Sequence, residues 1–299
     1  MSAGLAKPPL SRIIPLKMAF LEKIIRDTER EIAAAKKLHS IGELKRMIRD
    51  APPLRGFGDA IDKGFGLIAE IKRRSPSGGE MRQENFEHAP RAYAMSPIVR
   101  AVSVLTNSSH FGMRMQDLSR VKEIVRQPIL RKEFLLEDYQ VYEARAFGAD
   151  AVLLMASVLD DENLKQLFDL SRELNLDVLF EAHTNQEIER APEGVRIYGI
   201  NSRNFKAAQK WLMANSSSPS KRGRPAPARD LSVEFDAFSL IKHLPKSAIK
   251  VAESGIGPEK VCEVAALGYD AVLVGASLLK APAGVESILR EFERALAPA

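Results

Sequence analysis

The fold of this chain is decided by residues 66–72, which read GLIAEIK. Apolar or small residues fill this stretch as far as Glu70, which is typical of a short strand buried on both faces. Side chains alternate along a strand, so Glu70 and Lys72 share one side of it and Ile71 faces the other. A buried strand that ends in charged residues is the unit that the rest of the chain repeats.

Seven further apolar runs follow residue 72, and amphipathic helical patterns such as residues 162–174 separate them. This alternation predicts parallel strands joined by right-handed helical crossovers. Eight such units over about 230 residues match the size of a (β/α)8 TIM barrel. A doubly wound open sheet is the alternative, but it usually has about six strands and a G-x-G-x-x-G turn, which this sequence lacks. The predicted strands are residues 66–71, 101–105, 129–130, 151–155, 177–180, 197–200, 249–252 and 271–274.

Charged, amide or glycine residues stand at the ends of six of these eight predicted strands. In a TIM barrel the reacting groups lie at the carboxyl ends of the strands. If Ile71 faces the surrounding helices, two lysines and three glutamates converge on one pocket at the barrel axis. Such a cluster supplies acid and base partners whose pKa values can be pushed apart. The residues at these strand ends are Glu70, Lys72, Lys132, Glu181, Asn201, Glu253, Ser254, Gly255 and Gly275.

Two glycine turns indicate a phosphate site. Residues 254–257 (SGIG) follow the seventh predicted strand, and residues 275–277 (GAS) follow the eighth. In TIM barrels the loops after these two strands often hold a phosphate group through backbone N–H groups and a helix N-terminus. We therefore expect an anionic small-molecule substrate that carries a phosphate group.

The chain has 44 basic and 39 acidic side chains and a net charge of +5, but this charge is unevenly distributed. Residues 1–50 carry +5 and residues 206–229 carry +6, which leaves −6 for the remainder. The overall basicity therefore does not indicate nucleic acid, and an anionic substrate must be attracted locally. Residues 206–229 also contain one aromatic residue, Trp211, and no repeated basic–aromatic pattern for base stacking. We expect no nucleic-acid partner and, without a run of about 18 apolar residues, no membrane-spanning helix.

The chain has one cysteine, Cys262, which excludes an intramolecular disulfide and a multi-cysteine zinc site. A single cysteine fits a reducing compartment, and we expect a cytoplasmic protein. Cys262 lies within an amphipathic helical pattern, so it is expected to be a core residue rather than a reactive thiol.

The chain is expected to consist of an N-terminal extension, residues 1–50, and a catalytic barrel, residues 51–299. Helical spacing of apolar residues predicts an amphipathic helix at residues 18–37, packed on the barrel, and a shorter helix at 41–48. Serine, proline and basic residues dominate 206–229, which predicts a flexible insertion in the loop after strand 6. A lid, a partner-binding segment and a neutral surface loop are all open interpretations of this insertion.

Five segments carry a resemblance to a known family: IAEIKRRSPS (68–77), SVLT (103–106) with Phe111, LRKEF (130–134), GINSR (199–203) and VAESGI (251–256). Together they resemble the signature segments of the indole-3-glycerol phosphate synthase family, whose members carry a helical extension before a TIM barrel. The resemblance extends over residues 18–295 and is interrupted once, at the insertion.

The resemblance implies a lyase of tryptophan biosynthesis that needs no cofactor and no metal. Its substrate is 1-(o-carboxyphenylamino)-1-deoxyribulose 5-phosphate, which cyclises and loses carbon dioxide and water to give indole-3-glycerol phosphate. By resemblance, Lys132 is the general acid that protonates the ketone oxygen, and Glu181 removes a proton in rearomatisation and dehydration. Lys72 is implied to anchor the substrate carboxylate, and whether it also supplies the proton for dehydration is left open. Other enzymes of the tryptophan pathway are the implied partners.

The remaining site residues are implied to orient or bind the substrate. Those that orient the substrate hydroxyls and the lysines are Glu70, Asn201, Glu253 and Ser254. Those that bind the substrate and its phosphate group are Ser75, Arg203, Gly255, Gly275 and Ala276, with Phe111 against the aromatic ring. His183 is interpreted as a loop residue rather than a second base, and the role of His110 beside Phe111 is left open.

Two segments depart from the family pattern. Residues 96–100 (SPIVR) replace a Gly-Ala step before the second predicted strand, and Met113 and Arg114 replace a second glycine and a small residue. Both adjoin the second strand, so we expect them to affect contacts with the aromatic ring of the substrate. A diverged phosphate-binding barrel with another substrate, and a barrel with an interaction role through its basic insertion, are the alternatives.

Overall fold

A computed structural model describes residues 18–203 and 233–297, and their main strands form one closed barrel. Eight parallel strands each pair with the next in the chain, and the last pairs with the first. The predicted (β/α)8 TIM barrel is therefore confirmed. In chain order the barrel strands are β1 (Gly66–Ile71), β2 (Val99–Leu105), β3 (Ile129–Lys132), β4 (Ala151–Met155), β5 (Asp177–Ala182), β6 (Ile197–Asn201), β7 (Ile249–Glu253) and β8 (Ala271–Val274).

Four strands extend beyond the carboxyl ends that their apolar runs predict. β3, β5, β6 and β7 continue as far as Lys132, Ala182, Asn201 and Glu253. These end residues still belong to the ladder, because Lys132 is paired with Leu105 and Asn201 with Glu253. The sheet therefore fixes the backbone of several candidate site residues, which makes their placement more rigid than a loop would.

Helices follow the strands on the outside of the barrel. The α-helices are α1 (Met18–Leu38), α2 (Ile41–Asp50), α3 (Phe57–Ile61), α4 (Gln83–Met95), α5 (Ser108–Phe111), α6 (Met115–Ile124), α7 (Asp138–Ala146), α8 (Asp161–Glu173), α9 (Asn185–Ile188), α10 (Pro258–Ala266), α11 (Ala276–Leu279) and α12 (Val285–Leu296). A 3₁₀ helix, Phe235–His243, lies before β7. A short antiparallel hairpin, Arg74–Ser75 with Gly79–Glu80, follows β1.

Alternate residues of each strand face the barrel interior and the surrounding helices, as the pleat requires. In β1, Ile71 joins the core between sheet and helices, whereas Ile68 joins the core inside the barrel. Glu70 is therefore on the inner side of the sheet, as the sequence predicted. Apolar side chains from the other strands fill the interior below it: Ala101, Leu130, Leu153, Leu179, Ile197, Val251 and Leu273.

The amino end of the barrel is closed by α3. Phe57 and Ile61 of this helix are fully buried and belong to the interior core. The carboxylate of Asp177, at the start of β5, accepts hydrogen bonds from Phe57 N and Gly58 N, each at 2.9 Å. This end is a packed floor, and the candidate site residues lie at the opposite face.

The two N-terminal helices match the helices predicted from the sequence and pack on the barrel through different surfaces. α2 begins with a capping box between Ser40 and Glu43, and its Leu44 packs with Tyr139 of α7. α1 crosses the other end of the barrel, where its Ile24 packs against the interior core. Helix α2 therefore packs on the outside of the barrel, whereas α1 contacts the interior core through Ile24.

Cys262 is exposed, so the expectation that it is a core residue is wrong. Its helix, α10, buries Val261 and Val264, and Cys262 lies beside these residues on the solvent side. The thiol donates a hydrogen bond to the carbonyl oxygen of Ala295 at 2.9 Å. The reason is that a helix turns by about 100° per residue, so a neighbour of a buried residue can face solvent.

Three parts of the chain lie outside the described residues: 1–17, 204–232 and 298–299. The insertion predicted at residues 206–229, with its Trp211, falls in the second of them, so its properties stay predictions. The division into an extension of residues 1–50 and a barrel of residues 51–299 also stays a prediction. Among the helices of the described ranges, none combines the length and the apolar character needed to cross a membrane.

Candidate active site

The carboxyl ends of the strands enclose a pocket of about 210 Å³, on which the predicted site residues converge. The pocket lies above the interior core and is also lined by Ile24 of α1. Glu253 supports the pocket through its contact with Lys132. The predicted residues that line the pocket directly are Glu70, Lys72, Ser75, Phe111, Lys132, Glu181, Asn201, Arg203, Ser254, Gly255, Gly275 and Ala276.

Lys132, at the end of β3, lies at the centre of a charge cluster. Its ammonium nitrogen is 2.5 Å from Glu253 Oε2 and 3.6 Å from Glu181 Oε2. Burial by itself lowers the pKa of Lys132, but the nearby carboxylates, Glu253 first among them, raise this pKa above its ordinary value. Lys132 is therefore a protonated ammonium held between carboxylates, which is the state that a general acid requires.

Glu181 and Glu253 form a pair of buried carboxylates beside this ammonium. Burial and the repulsion from Glu181 raise the pKa of Glu253 to about 7, against the attraction of Lys132. Glu181 Oε1 and Glu253 Oε1 accept no hydrogen bond from the residues that the structure describes. Gly199 makes room for this pair, because a Cβ there would lie 2.1 Å from Glu253 Oε1. Two coupled carboxylates of this kind can take up and release a proton near neutral pH.

A second ion pair joins Glu70 and Lys72 at the end of β1. Lys72 Nζ donates a hydrogen bond to Glu70 Oε1, and both side chains are largely buried. Burial alone raises the pKa of Glu70, but the surrounding positive charges, Lys72 first among them, lower it below its ordinary value. A Cβ at Gly275 would lie 2.4 Å from Glu70 Oε1, so a larger residue in the turn after β8 would displace this carboxylate. Glu70 is thus an anionic partner that holds Lys72 in the pocket.

The turns after β7 and β8 both reach the pocket, as the sequence predicted. Ser254 and Gly255 have φ angles of 74° and 69°, in the left-handed region that favours glycine. A Cβ at Gly255 would also lie 2.3 Å from Val233 Cγ1. The hydroxyl of Ser277 donates to the carbonyl oxygen of Ile256 at 2.9 Å and so joins the two turns. The backbone of these turns is therefore held in one arrangement at the edge of the pocket.

Arg203 reaches from the end of β6 to the loop after β1. Its Nη1 donates a hydrogen bond to Ser77 Oγ at 2.5 Å, and its backbone N–H donates to Asn201 Oδ1 at 3.0 Å. In the same loop, Ser75 Oγ accepts a hydrogen bond from Gly78 N at 3.0 Å. A guanidinium that shares a pocket with two glycine turns provides the charge-assisted donors that a phosphate group prefers.

One wall of the pocket is apolar and is formed jointly by α5 and the N-terminal helix α1. Phe111 of α5 and Ile24 of α1 both line it. The two helices are tied together because Glu31 of α1 accepts hydrogen bonds from Ser108 N at 3.0 Å and Ser109 N at 2.8 Å. An apolar wall that faces a cluster of ions suits a ligand with an aromatic ring and anionic groups.

The two segments that depart from the family pattern do not line the pocket, and their effect on contacts with the aromatic ring stays a prediction. Residues 96–100 lie at the amino end of β2, where Arg100 packs close to Gly66 at the start of β1. Met113 is fully buried in the outer core, and Arg114 begins α6. Neither segment is among the described residues that line the pocket. Residues 96–100 lie away from the pocket because the two ends of a strand lie at opposite faces of the barrel, whereas Met113 and Arg114 follow the carboxyl end of β2.

Residues that the sequence did not assign also belong to the site, among them Ile24, Ser77 and Glu133, which line the pocket, and His183 beside Glu181. His183 Nε2 lies 3.5 Å from Glu181 Oε1. The signal for it was present, because His183 follows Glu181 by two residues and side chains alternate along a strand. Ile24 had no such signal, since nothing local indicates that α1 packs across the pocket.

The pocket presents ammonium and carboxylate groups, which are suited to acid–base chemistry. In the described part of the chain, no group of three or more His, Cys, Asp or Glu side chains is placed to hold a metal ion. The carboxylates of the site instead contact lysines, as the distances around Lys132 illustrate.

Sequence comparison finds relatives along most of the chain. The family model described as indole-3-glycerol phosphate synthase matches residues 21–212. The chain is 37% identical over 268 residues to the indole-3-glycerol phosphate synthase of a Nocardioides species, with 88% of this chain and 94% of that protein covered. It is 36% identical to the indole-3-glycerol phosphate synthase of Paenarthrobacter aurescens, with 94% and 98% covered.

Comparison with solved structures finds more distant barrels. The 3-hexulose-6-phosphate synthase from Salmonella typhimurium matches with a TM-score of 0.53 at 14% identity and covers 77% of this chain and 98% of that one. A thiamine phosphate pyrophosphorylase from Pyrococcus furiosus matches with a TM-score of 0.52 at 16% identity, covering 78% and 97%. At such identities the likeness shows the fold alone. The sequence matches go further, and by them this chain belongs to the indole-3-glycerol phosphate synthase family.

Proposed function

We propose that this chain is an indole-3-glycerol phosphate synthase, a carboxy-lyase of tryptophan biosynthesis. The observation that carries the proposal is the position of Lys132 Nζ, 2.5 Å from Glu253 and 3.6 Å from Glu181 at the carboxyl end of the barrel. The reaction converts 1-(o-carboxyphenylamino)-1-deoxyribulose 5-phosphate into indole-3-glycerol phosphate, carbon dioxide and water. Family membership supports the substrate, and the charge cluster supports the chemistry.

The proposed substrate has three distinct parts, and the pocket offers a suitable surface for each. The phosphate group fits the turns at Gly255 and Gly275, where backbone N–H groups and Arg203 supply donors. The carboxylate fits the ammonium group of Lys72. The aromatic ring fits the apolar wall that includes Phe111. These contacts would bring the aromatic carbon close to the ketone carbon, which is the arrangement that ring closure needs.

Ring closure needs an acid at the ketone oxygen. As the aromatic carbon that bears the carboxylate attacks the ketone carbon, Lys132 donates a proton to the ketone oxygen, which becomes a hydroxyl group. Loss of carbon dioxide then breaks the bond to the carboxylate, and its electron pair restores the aromatic ring. A positioned general acid contributes about 10²- to 10⁴-fold to such a step. The carboxylates of Glu253 and Glu181 favour the protonated state of Lys132 before each turnover.

Dehydration needs both a base and an acid. Glu181 accepts the proton that leaves the new five-membered ring, and the hydroxyl group departs as water after protonation by an ammonium group. Lys72 and Lys132 both line the pocket and are the two candidates for that role. The neighbouring carboxylate of Glu253, whose pKa is about 7, can share the proton that Glu181 takes up.

We place this activity in the cytoplasm, in keeping with a chain whose single cysteine needs no oxidising compartment. Enzymes of the same pathway, which supply the substrate and consume the product, are the partners that we propose. A different phosphorylated substrate has less support, because the two departing segments do not line the pocket. Nucleic acid is a poor candidate, because the chain without residues 1–50 and 206–229 carries a net charge of −6.

The test is an assay of the purified protein with the proposed substrate, followed by indole fluorescence. Lys132→Ala should lower kcat by at least about 10²-fold, because the acid is lost. The matched control is Lys165→Ala on α8, which removes an exposed lysine paired with Asp169 and should leave kcat unchanged. Wild-type product formation no greater than that of Lys132→Ala would contradict the proposal.

A further inference from the structure

His183 lies directly after β5, two residues beyond Glu181, and its imidazole contacts the side of Glu181 that faces away from Lys132. His183 Nε2 is 3.5 Å from Glu181 Oε1, while Lys132 Nζ is 3.6 Å from Glu181 Oε2. The histidine side chain is only 12% exposed. Each oxygen of this buried carboxylate therefore faces one nitrogen base that can carry a positive charge.

The second ring nitrogen of His183 faces another carboxylate. His183 Nδ1 is 3.5 Å from Glu187 Oε2, and the same oxygen accepts a hydrogen bond from the backbone N–H of His183 at 2.6 Å. Glu187 is held in turn, because its backbone N–H donates to the hydroxyl of Thr184 at the N-cap of α9, at 3.2 Å. The imidazole is thus oriented by the turn at residues 183–187, which is held by the two hydrogen bonds just described.

The charges around His183 come from three elements. Glu181 lies on β5, Glu187 on α9 and Glu253 on β7, and Lys132 on β3 lies 3.6 Å from the other oxygen of Glu181. Burial lowers the pKa of His183, but these carboxylates, Glu187 first among them, together raise it above its ordinary value. The imidazole therefore keeps its proton to a higher pH than a free histidine does.

We propose that His183 is a positioning residue whose imidazolium spans Glu181 and Glu187 and thereby orients the Glu181 carboxylate for proton removal. The inference rests on the proposed function, in which Glu181 is the base. His183 itself transfers no proton to or from the substrate; it limits rotation of Glu181 and opposes the collapse of that carboxylate onto Lys132.

The first test is the kinetics of His183→Asn, which removes the bridge and its charge. We expect kcat to fall by about 10- to 100-fold with KM changed by less than about threefold, because the substrate contacts remain. We also expect the acidic limb of the kcat–pH profile to move to higher pH by about one unit, because a neighbouring positive charge is lost. The control is His88→Asn, since His88 is 58% exposed and lies 4.0 Å from Glu286 on the outer helices. It should leave both kcat and the profile unchanged.

Two outcomes would overturn the inference. One is a wild-type kcat and pH profile for His183→Asn. The other is a lower kcat with an unmoved acidic limb, which would reduce His183 to a packing role. If His183→Asn does not fold, the test uses Glu187→Gln instead. This substitution weakens the contact between the imidazole and Glu187, and Glu187 is partly exposed, so the fold should tolerate it. It should move the acidic limb in the same direction by a smaller amount, and an unmoved limb would contradict the inference.

A second measurement does not depend on turnover. NMR titration of the imidazole protons of the full chain should give His183 an apparent pKa above the ordinary histidine value, and Glu181→Gln should lower it. An unchanged His183 titration in Glu181→Gln would overturn the inference even in an active enzyme. Conversely, a wild-type protein that forms no product but shows the coupled titration would refute the proposed function and leave the contact between His183 and Glu181 established.

Discussion

Both ends of the barrel bury carboxylates, but the two ends use them differently. At the amino end, Asp150 accepts hydrogen bonds from Arg55 N at 2.8 Å and Ile129 N at 2.7 Å, and its second oxygen also contacts Lys122. At the carboxyl end, Glu181 and Glu253 share one side-chain cation, Lys132. Among the residues that the structure describes, each of these two glutamates has one oxygen that accepts no hydrogen bond.

This difference separates carboxylates that stabilise the fold from carboxylates that are available for chemistry. Two backbone N–H groups and Lys122 donate to Asp150 and hold neighbouring segments in place, so its burial contributes to stability. A buried carboxylate with an unsatisfied oxygen lowers stability, yet it can bind a substrate or exchange a proton. We therefore expect substitutions of Asp150 at the amino end to change the free energy of unfolding. Substitutions of Glu181 and Glu253 at the carboxyl end should change the rate of the reaction.

The largest effect is expected at the amino end. Asp150→Ala leaves two buried backbone N–H groups without their acceptor and removes the partner of Lys122. We expect the free energy of unfolding to fall by about 3–5 kcal/mol, measured by urea unfolding. The activity per folded molecule should be unchanged, because the pocket lies at the opposite face.

The control for this variant is Asp160→Ala, which removes an exposed N-cap whose carboxylate accepts from Asn163 N at 2.9 Å. Loss of such a cap lowers stability by about 1 kcal/mol. The comparison between the two ends fails if Asp150→Ala is no more destabilising than Asp160→Ala, or if it abolishes the activity of the folded protein.

A smaller effect of opposite sign is expected for Glu133, a buried carboxylate of the carboxyl end. Burial raises its pKa from 4.5 to about 7 against the attraction of Arg131. The folded state then binds more protons than the unfolded state between these two values, so wild-type stability falls as the pH rises from 4.5 to 7. Glu133→Gln removes this loss, and we expect it to be more stable than wild type by roughly 2–3 kcal/mol at pH 8.

The gain from Glu133→Gln should disappear below about pH 4.5, where the wild-type carboxyl is protonated in both states. Urea unfolding at the two pH values measures both points. A variant that is less stable than wild type at pH 8 would show that the hydrogen bonds from Asn107 and Thr106 outweigh the cost of burial.

The smallest effect is expected from a pair of glycine substitutions, one at each end. A Cβ at Gly199 would lie 2.1 Å from Glu253 Oε1 and must displace that carboxylate. We expect Gly199→Ala to lower kcat by about tenfold, which corresponds to about 1.4 kcal/mol. A Cβ at Gly58 would meet the terminal methyls of Ile197 at 3.3 Å and Ile249 at 3.5 Å and Asp177 Oδ2 at 3.7 Å, all far from the pocket, and Gly58→Ala should keep wild-type kcat. Equal kcat values for the two variants would contradict the proposed difference in function between the two ends of the barrel.

The strands could be predicted from the sequence because each one carries its own signal. A buried strand needs only about five consecutive apolar residues to be recognised, and the charged residue after it marks the carboxyl end. Glu70 and Lys72 were assigned to the same side on that basis, and the structure pairs them. The glycine turns at Gly255 and Gly275 were equally local and reach the pocket as predicted.

Other features could not be predicted because they depend on contacts between distant segments. Nothing near Ile24 indicates that α1 crosses the pocket, since that position is decided by its packing against α5 and the barrel. The burial of Cys262 was predicted wrongly because the helical pattern did not establish which face of α10 meets the barrel. His183 was assigned to a loop although its contact with Glu181 places it in the site.

By itself, the sequence determined the order of strands and helices and the type of residue at each strand end, because alternation and helical spacing are local properties. Only the tertiary structure decided that Lys132 meets Glu253, which lies 121 residues further along the chain, at 2.5 Å. The same holds for the placement of Arg203 beside Ser77 and of His183 between two carboxylates. The physical reason is closure of the barrel, because the tilt and pairing of all eight strands together set which strand ends face each other across the axis.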